Sequence, residues 1–324
     1  MEGLIQWELL FSAWVQSLGQ WLEFPMQVFS FLGNEMFFLL IMPAIYWSLD
    51  PVLGFRAGMM LVISGGLNSA LKMFFHTPRP YWVDTNIKAF SAEASFGLPS
   101  GHAQTAASIW GMLGKMVQKR GSLLIAGVVI FLIGLSRIYL GVHFLHDVLS
   151  GWLIGILILI LYLKLEKPIG KWLERRTLWA QVMYAFLFSA CILILGLWAQ
   201  NSSSSWSVPV EWSSLAIAAS GKAPDPFNLE GVLTIAGVAF GFTAGFAWWR
   251  SKTGIEQIHY GTGKRLARYG IGLVGILILY LGLGFIFPDE PYLLGAALRY
   301  LRYALIGGWV TAFAPWCFKQ MHLA

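Results

Sequence analysis

Residues 121–164 read GSLLIAGVVIFLIGLSRIYLGVHFLHDVLSGWLIGILILILYLK, two apolar runs joined by a short polar segment. Each run is about 20 residues long, the length that an α-helix needs to cross the hydrocarbon core of a bilayer. The segment between them, residues 136–147, holds arginine, histidine and aspartate. Such residues are costly within a membrane and mark functional sites when they occur there. This stretch therefore predicts two membrane helices with a reactive turn between them.

Apolar runs of similar length recur along the rest of the chain. Of its 324 residues, 57% are hydrophobic and 12% are charged, whereas a soluble domain carries roughly 25% charged residues. We predict nine spans, near residues 25–47, 52–75, 99–118, 121–141, 146–164, 180–199, 231–249, 269–287 and 293–318. The fold class is therefore all-α, a polytopic helical bundle integral to a membrane.

The net charge of +6 gives the orientation of this bundle. If successive spans alternate in direction, most lysines and arginines outside residues 72–80, 99–102 and 136–147 collect on one side. Positive residues mark the cytoplasmic side of a membrane protein, and this distribution argues against a nucleic-acid partner. The three segments themselves emerge together on the other side. We expect one extracytoplasmic site, in a protein of the bacterial cytoplasmic membrane whose oligomeric state the sequence leaves open.

Two segments differ from the spans. Residues 1–23 place tryptophans on one helical face, with Glu8, Ser12 and other polar residues on the opposite face. This pattern is typical of an amphipathic helix that lies in the membrane interface, and one more crossing is the alternative. Residues 200–230, rich in serine and proline, are expected to form a polar loop.

The polar segment SRIYLGVHFLHD at 136–147 carries a candidate nucleophile. His143 and Asp147 are four residues apart, so on a helix they share a face and can touch. A carboxylate that holds one imidazole nitrogen fixes the tautomer and leaves the other nitrogen free to attack. Gly141 permits a tight turn that brings Arg137 back toward His143. Arginine suits a phosphoryl group, because its planar fork can bond two oxygens at once.

The segment Pro99-Ser100-Gly101-His102 is expected to open a helix. Proline is favoured at a helix start, and the free backbone N–H groups at that end form an anion site. Ser100 adds a hydroxyl, and Gly101 allows the backbone to approach a phosphate closely. His102 would stand beside the bound anion, placed to protonate a leaving oxygen.

The segment KMFFHTPRP at 72–80 supplies two cations, Lys72 and Arg79. Both would be costly at the end of an apolar run unless an anionic ligand required them. The prolines on either side of Arg79 stiffen the segment and limit where its side chain can go.

Together the three segments resemble the type 2 phosphatidic acid phosphatase superfamily. The family pattern of a lysine, six residues and Arg-Pro is matched by Lys72 and Arg79-Pro80. Its Pro-Ser-Gly-His element is matched at 99–102, and its Ser-Arg, five residues, His, three residues, Asp element at 136–147. No motif position is substituted.

This resemblance divides the chain into three parts. Residues 1–23 would form the amphipathic interfacial helix, and residues 24–170 a catalytic membrane core like the six-helix core of the family. Residues 171–324 would add about three C-terminal transmembrane helices, which lie outside that core.

The resemblance also implies roles for the motif residues. His143 would be the nucleophile that forms a phosphohistidine, Asp147 would orient it, and His102 would protonate the leaving group and then activate water. The phosphate oxygens would be held by Lys72, Arg79, Ser100, Gly101, His102 and Arg137. The family reaction needs no metal and no cofactor, and its substrate partner would be a lipid phosphate in the bilayer.

Several other polar residues are open to more than one interpretation. His76 occupies a position that the family pattern leaves free, so a structural role and a contact to substrate are both open. His146 points about a third of a turn away from His143 and is expected to act on the site indirectly at most. Glu93 is typical of a solvated loop carboxylate. Arg299 and Arg302 lie three residues apart near the start of the last span. They either snorkel to the membrane surface or hold a second phosphate or a polar headgroup.

The function expected from these observations is a metal-independent lipid phosphate phosphatase, acting on a phosphomonoester or pyrophosphate of a membrane lipid. Isoprenoid pyrophosphates, phosphatidate and sphingoid phosphates all carry the group that the motif residues would bind, so the sequence leaves the substrate open. One alternative is a phosphotransferase that uses the same intermediate. Another is a transporter or flippase for phosphate-bearing lipids, which would tolerate loss of His143 because binding needs charge more than a nucleophile.

Overall fold

The computed structural model describes residues 2–254, 260–288 and 292–323. Within these ranges the regular secondary structure is helical, without β-strands. The α-helices are α1 (Glu2–Ser17), α2 (Glu23–Phe31), α3 (Glu35–Ser48), α4 (Pro51–Phe75), α5 (Pro80–Val83), α6 (Gly101–Met116), α7 (Ser122–Tyr139), α8 (Leu145–Glu174), α9 (Leu178–Ser202), α10 (Val210–Ser220), α11 (Glu230–Thr253), α12 (Thr262–Leu277), α13 (Leu283–Ile286), α14 (Tyr292–Gly308) and α15 (Ala314–Gln320). The prediction of an all-α fold is confirmed.

Each of the nine predicted spans overlaps helical residues, but the span at 25–47 is interrupted at residues 32–34, and those at 99–118 and 293–318 are not among the helices of the described residues that are long and apolar enough to cross a membrane. Six helical segments of the described chain are long and apolar enough to cross a membrane, and a seventh is added if the bent pair α2 and α3 forms one span. This pair is bent by 49° between Gln20–Phe31 and Glu35–Ser48. Helix α6, which begins at the Pro-Ser-Gly-His segment, is shorter, with 16 residues. The protein is therefore a polytopic helical membrane protein.

The chain forms two compact units, each built from separate stretches of sequence. Unit 1 comprises Met1–Phe37, Leu67–Ile160 and Gly196–Asn228. Unit 2 comprises Phe38–Gly66, Leu161–Leu195 and Leu229–Ala324. The division at residues 23 and 170 that the sequence suggests follows chain order and stays a prediction.

Unit 1 contains all three motif segments. Its core is an apolar cluster that includes Tyr81, Trp82, Phe96 and Tyr139. Tyr81 and Trp82 come from the short helix α5, which directly follows Arg79. The cluster therefore anchors the chain directly after the cationic segment at 72–80.

Unit 2 has an aromatic core around Trp47, Phe242 and Phe318. The indole N–H of Trp47 donates to the carbonyl of Val310 over 2.8 Å. Val310 lies in a π-helical segment, Trp309–Phe313, where the backbone hydrogen-bond pattern changes and carbonyls can accept from side chains. This hydrogen bond and the aromatic packing of Phe318 thus hold the last helices against the core of unit 2.

Helix α1 has the two faces that the sequence predicts, but its polar face is turned into unit 1. Glu8 and Ser12 are buried, and Gln16 donates to the backbone carbonyls of Lys88 and Tyr139, both over 2.9 Å. The exposed face carries the large apolar side chains Leu4, Trp7, Leu10 and Trp14. An apolar outer face suits contact with lipid.

The expected polar loop at residues 200–230 is partly helical, because it contains α10. Trp206 of this segment stacks on His76 with ring centroids 4.8 Å apart, and it meets the edge of Phe96 at 5.3 Å. Aromatic packing of this kind orders the segment although its composition is typical of a loop. The segment therefore lies against the chain that joins α4 to α6.

Gly141 occupies a position that an alanine should tolerate poorly. Its φ of +74° is in the left-handed region, and an added Cβ would collide with the carbonyl oxygen of Lys88. Gly121 has a similar φ, +88°, with open space where a Cβ would lie. We expect Gly141→Ala to lower the free energy of unfolding by about 3 kcal/mol and Gly121→Ala by about 1 kcal/mol. Thermal denaturation in detergent checks this, and equal losses in the two variants would show that the collision carries no cost.

Candidate active site

His143 and Asp147 form a buried pair at the start of α8. Nδ1 of His143 lies 3.2 Å from Oδ2 of Asp147, and the same oxygen accepts the backbone N–H of Phe144 over 3.0 Å. The contact expected from the four-residue spacing is present, but His143 precedes the helix instead of lying on it. The chain turns there because the N–H groups of Val142 and His143 both donate to the carbonyl of Arg137.

The free nitrogen of His143 faces a cation. Its Nε2 lies 3.4 Å from a guanidinium nitrogen of Arg79. Burial, together with the charges of Arg79 and Lys72, holds the pKa of His143 well below its ordinary value. The imidazole is therefore neutral at physiological pH, the protonation state that a nucleophile requires.

Lys72 and Arg79 are held side by side by a short stretch of backbone. The ammonium of Lys72 donates to the carbonyl of Phe96 over 2.8 Å and to the hydroxyl of Ser95 over 3.1 Å. Arg79 donates to the carbonyl of Ser95 over 2.7 Å and to that of Val142 over 2.8 Å. These bonds satisfy two buried cations with neutral oxygens, and they leave the positive charge of the pair largely uncancelled.

Arg137 brings a third cation to the site, and Glu93 is its partner. A guanidinium nitrogen of Arg137 lies 2.6 Å from Oε1 of Glu93, and another donates to the hydroxyl of Ser30. Oε2 of Glu93 lies 3.8 Å from Arg79. Burial alone would raise the pKa of Glu93, but the surrounding cations, first Arg79 and Arg137, hold this pKa well below its ordinary value.

The interpretation of Glu93 as a solvated carboxylate is therefore wrong. Its side chain is 28% exposed and it is ionised between two arginines. An ion pair of this kind forms only in the folded protein, because Glu93 and Arg137 are 44 residues apart in the chain.

The Pro-Ser-Gly-His segment begins α6 as expected, but its proline lies outside the helix. Ser100 is the N-cap, and its hydroxyl accepts the backbone N–H of Ala103. Pro99 therefore precedes the cap and does not occupy the first helical position. An added Cβ on Gly101 would lie 2.9 Å from Oδ1 of Asn68, which explains why this position lacks a side chain.

His102 lies in the first turn of α6, and one of its ring nitrogens is available to a bound ligand. The charges of Arg137 and Glu93 act on its imidazole, so it belongs to the same cluster. Its Nε2 is buried and, within the described residues, has no hydrogen-bond partner. Buried polar atoms without partners are rare and mark functional positions. A phosphate ester oxygen would satisfy this nitrogen.

The arginines at the start of the last span lie in unit 2. Arg299 forms an ion pair with Glu230, and the guanidinium of Arg302 lies 5.0 Å from the ring centroid of Tyr303. Both charges thus have local partners, as expected of structural residues. A headgroup role for them stays a prediction.

Sequence reasoning missed the residues that hold the cations, and it missed a buried carboxylate that contacts His146. Ser95 and Phe96 act through a hydroxyl and backbone carbonyls, for which no motif spacing gives a signal. Glu8 contacts His146 in the same unit. The only signal for Glu8 in the sequence is its place on the polar face of an amphipathic helix.

The site can bind a phosphoryl group and transfer it. Three buried cations would attract phosphate oxygens, a neutral imidazole lies beside one of these cations, and a second imidazole with a buried nitrogen lies in the same unit. Residues 53–170 match the sequence model of the PAP2 superfamily, and residues 233–324 match that of the PAP2 superfamily phosphatase transmembrane extension. The chain belongs to the PAP2 superfamily.

Curated PAP2 relatives fall into two groups by the length that they share with this chain. Phosphatidylglycerophosphatase B of Bacillus subtilis is 32% identical over 36% of this chain and 61% of its own length. Sphingosine-1-phosphate phosphatase 1 of Mus musculus is 33% identical over 40% of this chain and 32% of its own. This chain therefore covers less than two thirds of the length of each of these two relatives. Glucose-6-phosphatase 3 of Mus musculus is 26% identical over 89% of this chain and 87% of its own length.

Two solved PAP2 structures are similar to part of the chain. One is the crystal structure of the first transmembrane PAP2 type phosphatidylglycerolphosphate phosphatase from Bacillus subtilis, with 26% identity and a TM-score of 0.46 over 52% of this chain and 89% of that one. The other is the crystal structure of Aquifex aeolicus LpxE, with 24% identity and a TM-score of 0.42 over 48% of this chain and 94% of that one.

Neutralising Glu93 should strengthen anion binding by this PAP2 protein. The carboxylate competes with phosphate for Arg137 and repels it, so Glu93→Gln should lower the Kd for inorganic phosphate by about five- to tenfold, on the order of 1 kcal/mol. Calorimetry on the detergent-solubilised protein measures this Kd. Asp84→Asn is the matched control, because Asp84 lies in the same connection and its carboxylate accepts from Asn86. Unchanged or weaker phosphate binding in Glu93→Gln would contradict the competition.

Proposed function

We propose that this protein is a metal-independent phosphatase whose nucleophile is His143. The observation that carries the proposal is the orientation of this imidazole. Its Nδ1 lies on a buried carboxylate, and its neutral Nε2 faces the cation Arg79. A carboxylate on one nitrogen of a neutral imidazole and a cation beside the other nitrogen suit attack on phosphorus. Lys72, Arg79 and Arg137 are called the cradle below.

In the first step, the lone pair on Nε2 of His143 forms a bond to phosphorus as the bond from phosphorus to the leaving oxygen breaks. The negative charge of the bound phosphate ester favours the protonated form of His102, and this imidazolium gives its proton to that oxygen. Lys72, Arg79 and Arg137 stabilise the charge that spreads over the equatorial oxygens. Asp147 stabilises the positive charge that develops on the ring of His143.

In the second step, water replaces the histidine. His102, now neutral, takes a proton from water as the water oxygen bonds to phosphorus and the phosphorus–nitrogen bond breaks. Inorganic phosphate leaves, His143 returns to its neutral form and His102 is again protonated. The cycle balances without a metal or a redox partner.

The substrate is proposed to be a lipid phosphate at the extracytoplasmic side of a bacterial cytoplasmic membrane. The distribution of lysine and arginine supports that orientation, and relatives named for phosphatidylglycerophosphate and sphingosine 1-phosphate support a lipid. Isoprenoid pyrophosphate and phosphatidate also fit the cradle, because it contacts only the phosphate.

A soluble sugar phosphate is the second candidate. The glucose-6-phosphatases of Haplochromis nubilus and Mus musculus match this chain over 81% and 89% of its length, whereas the match to phosphatidylglycerophosphatase B covers 36% of it. If the C-terminal extension influences which substrates reach the site, this longer match favours a sugar phosphate. A comparison of lipid and sugar phosphates as substrates tests this.

Substitution of His143 should separate catalysis from binding. We expect His143→Gln to lower kcat on the order of a thousandfold or more, with phosphate release by the wild type unaffected by EDTA. Release is measured with sphingosine 1-phosphate, phosphatidylglycerophosphate, undecaprenyl pyrophosphate and glucose 6-phosphate. His322→Gln, a change near the C-terminus, is the control and should match the wild type.

The same assay distinguishes the alternatives. Consumption of substrate without phosphate release, until an acceptor lipid is added, would indicate a phosphotransferase. Transport or binding that persists in His143→Gln, with no release from any substrate by the wild type, would contradict a phosphatase and favour a transporter. In His102→Ala, formation and hydrolysis of the phosphohistidine should both be slower, because His102 serves as the acid in the first step and as the base in the second.

A further inference from the structure

Glu8 on α1 is a carboxylate buried inside unit 1. It is 2% exposed, on a helix whose outer face is apolar. Burial of an ionised carboxylate is strongly unfavourable unless it is paired and hydrogen-bonded. Glu8 therefore requires a partner that pairs with its negative charge and donates hydrogen bonds to it.

His146 is that partner, and it contacts both oxygens of Glu8. The backbone N–H of His146 donates to Oε1 over 2.8 Å, and ring Nδ1 lies 2.6 Å from Oε2. The two residues are 138 positions apart in the chain. Docking of α1 therefore places a carboxylate directly behind the first turn of α8.

The other ring nitrogen of His146 faces the catalytic carboxylate. Nε2 lies 3.2 Å from Oδ1 of Asp147, an ion-pair contact without the alignment of a hydrogen bond. The second oxygen of Asp147, Oδ2, is the one on His143. Each nitrogen of His146 thus meets a carboxylate oxygen, and only the protonated imidazole carries a hydrogen on both nitrogens.

We infer that Glu8 and His146 are positioning residues that extend the catalytic pair into a line of four, Glu8–His146–Asp147–His143. Glu8 supplies the negative charge that keeps His146 protonated. The imidazolium in turn keeps Asp147 ionised and turned so that Oδ2 receives His143. This role rests on the proposed phosphatase reaction, because it concerns the nucleophile of that reaction.

The line of four should influence attack and leave ground-state phosphate binding unchanged. Lys72, Arg79 and Arg137 hold the phosphate and have other partners, among them Ser95, Phe96 and Glu93. Loss of the charge on His146 would leave Asp147 less able to stabilise the imidazolium that forms at His143. The expected signature is therefore a lower kcat at constant KM.

A double-mutant cycle tests the connection through His146. We expect Glu8→Gln to lower kcat about tenfold, in the range for residues that orient a catalytic group from outside it, with KM within about twofold. His146→Gln should give a similar loss. The double variant should be no worse than His146→Gln, because Glu8 acts only through His146.

Gln16→Ala is the matched control for docking of α1. Gln16 anchors the same helix through Lys88 and Tyr139 and does not touch His146. This variant should lower the Tm while leaving kcat close to that of the wild type. A loss of kcat in Gln16→Ala as large as in Glu8→Gln, or additive losses in the double variant, would overturn the inference.

Orthovanadate provides a second measurement that needs no turnover. Vanadate accepts a fifth ligand and so reports whether Nε2 of His143 is correctly placed, whereas inorganic phosphate reports the cationic cradle alone. Glu8→Gln should weaken vanadate binding about tenfold and leave phosphate binding unchanged. That result would support the inference even if the wild type released no phosphate from any substrate, which would refute the proposed function separately. Equal vanadate affinity in Glu8→Gln and wild type would overturn the inference.

Discussion

The site depends on the burial of three cations that are held mostly by neutral oxygens. Lys72 and Arg79 donate to Ser95, Phe96 and Val142, so their positions are fixed without cancelling their charge. A buried charge that has hydrogen bonds but no full counter-ion is tolerated at a cost in stability, and it attracts an anion strongly. The proposed affinity for phosphate therefore depends on the short connection between α4 and α6, which contains Ser95 and Phe96.

Burial and the neighbouring cations together set the protonation state of His143, the proposed nucleophile. Both keep its imidazole neutral, so the proposed phosphate binding and the proposed attack depend on the same buried cluster. Glu93 offsets part of the positive charge, because it pairs with Arg137 and lies near Arg79. It reduces repulsion among the cations and at the same time competes with the anion that they attract.

Membrane proteins reverse the usual relation between the faces of a helix, and α1 shows this clearly. In water the polar face of an amphipathic helix is expected to be solvated, whereas next to lipid the apolar face can be the outer one. The polar face of α1 then packs on protein, where Gln16 docks the helix and Glu8 reaches His146. An amphipathic pattern gives the two faces but not the side on which the protein lies.

The sequence by itself determined the all-α membrane fold, the approximate positions of the long apolar helices and the residue types of the reactive cluster. Apolar runs and motif spacings are short-range properties, and the backbone must satisfy its own hydrogen bonds in lipid, so helices follow directly from composition. Only the tertiary structure decided which groups neutralise, hold and orient the cluster. Glu93 on Arg137, Phe96 on Lys72 and Glu8 on His146 join residues between 24 and 138 positions apart. Such pairings follow from helix packing, which depends on the shapes of many side chains together and leaves no local pattern in the chain.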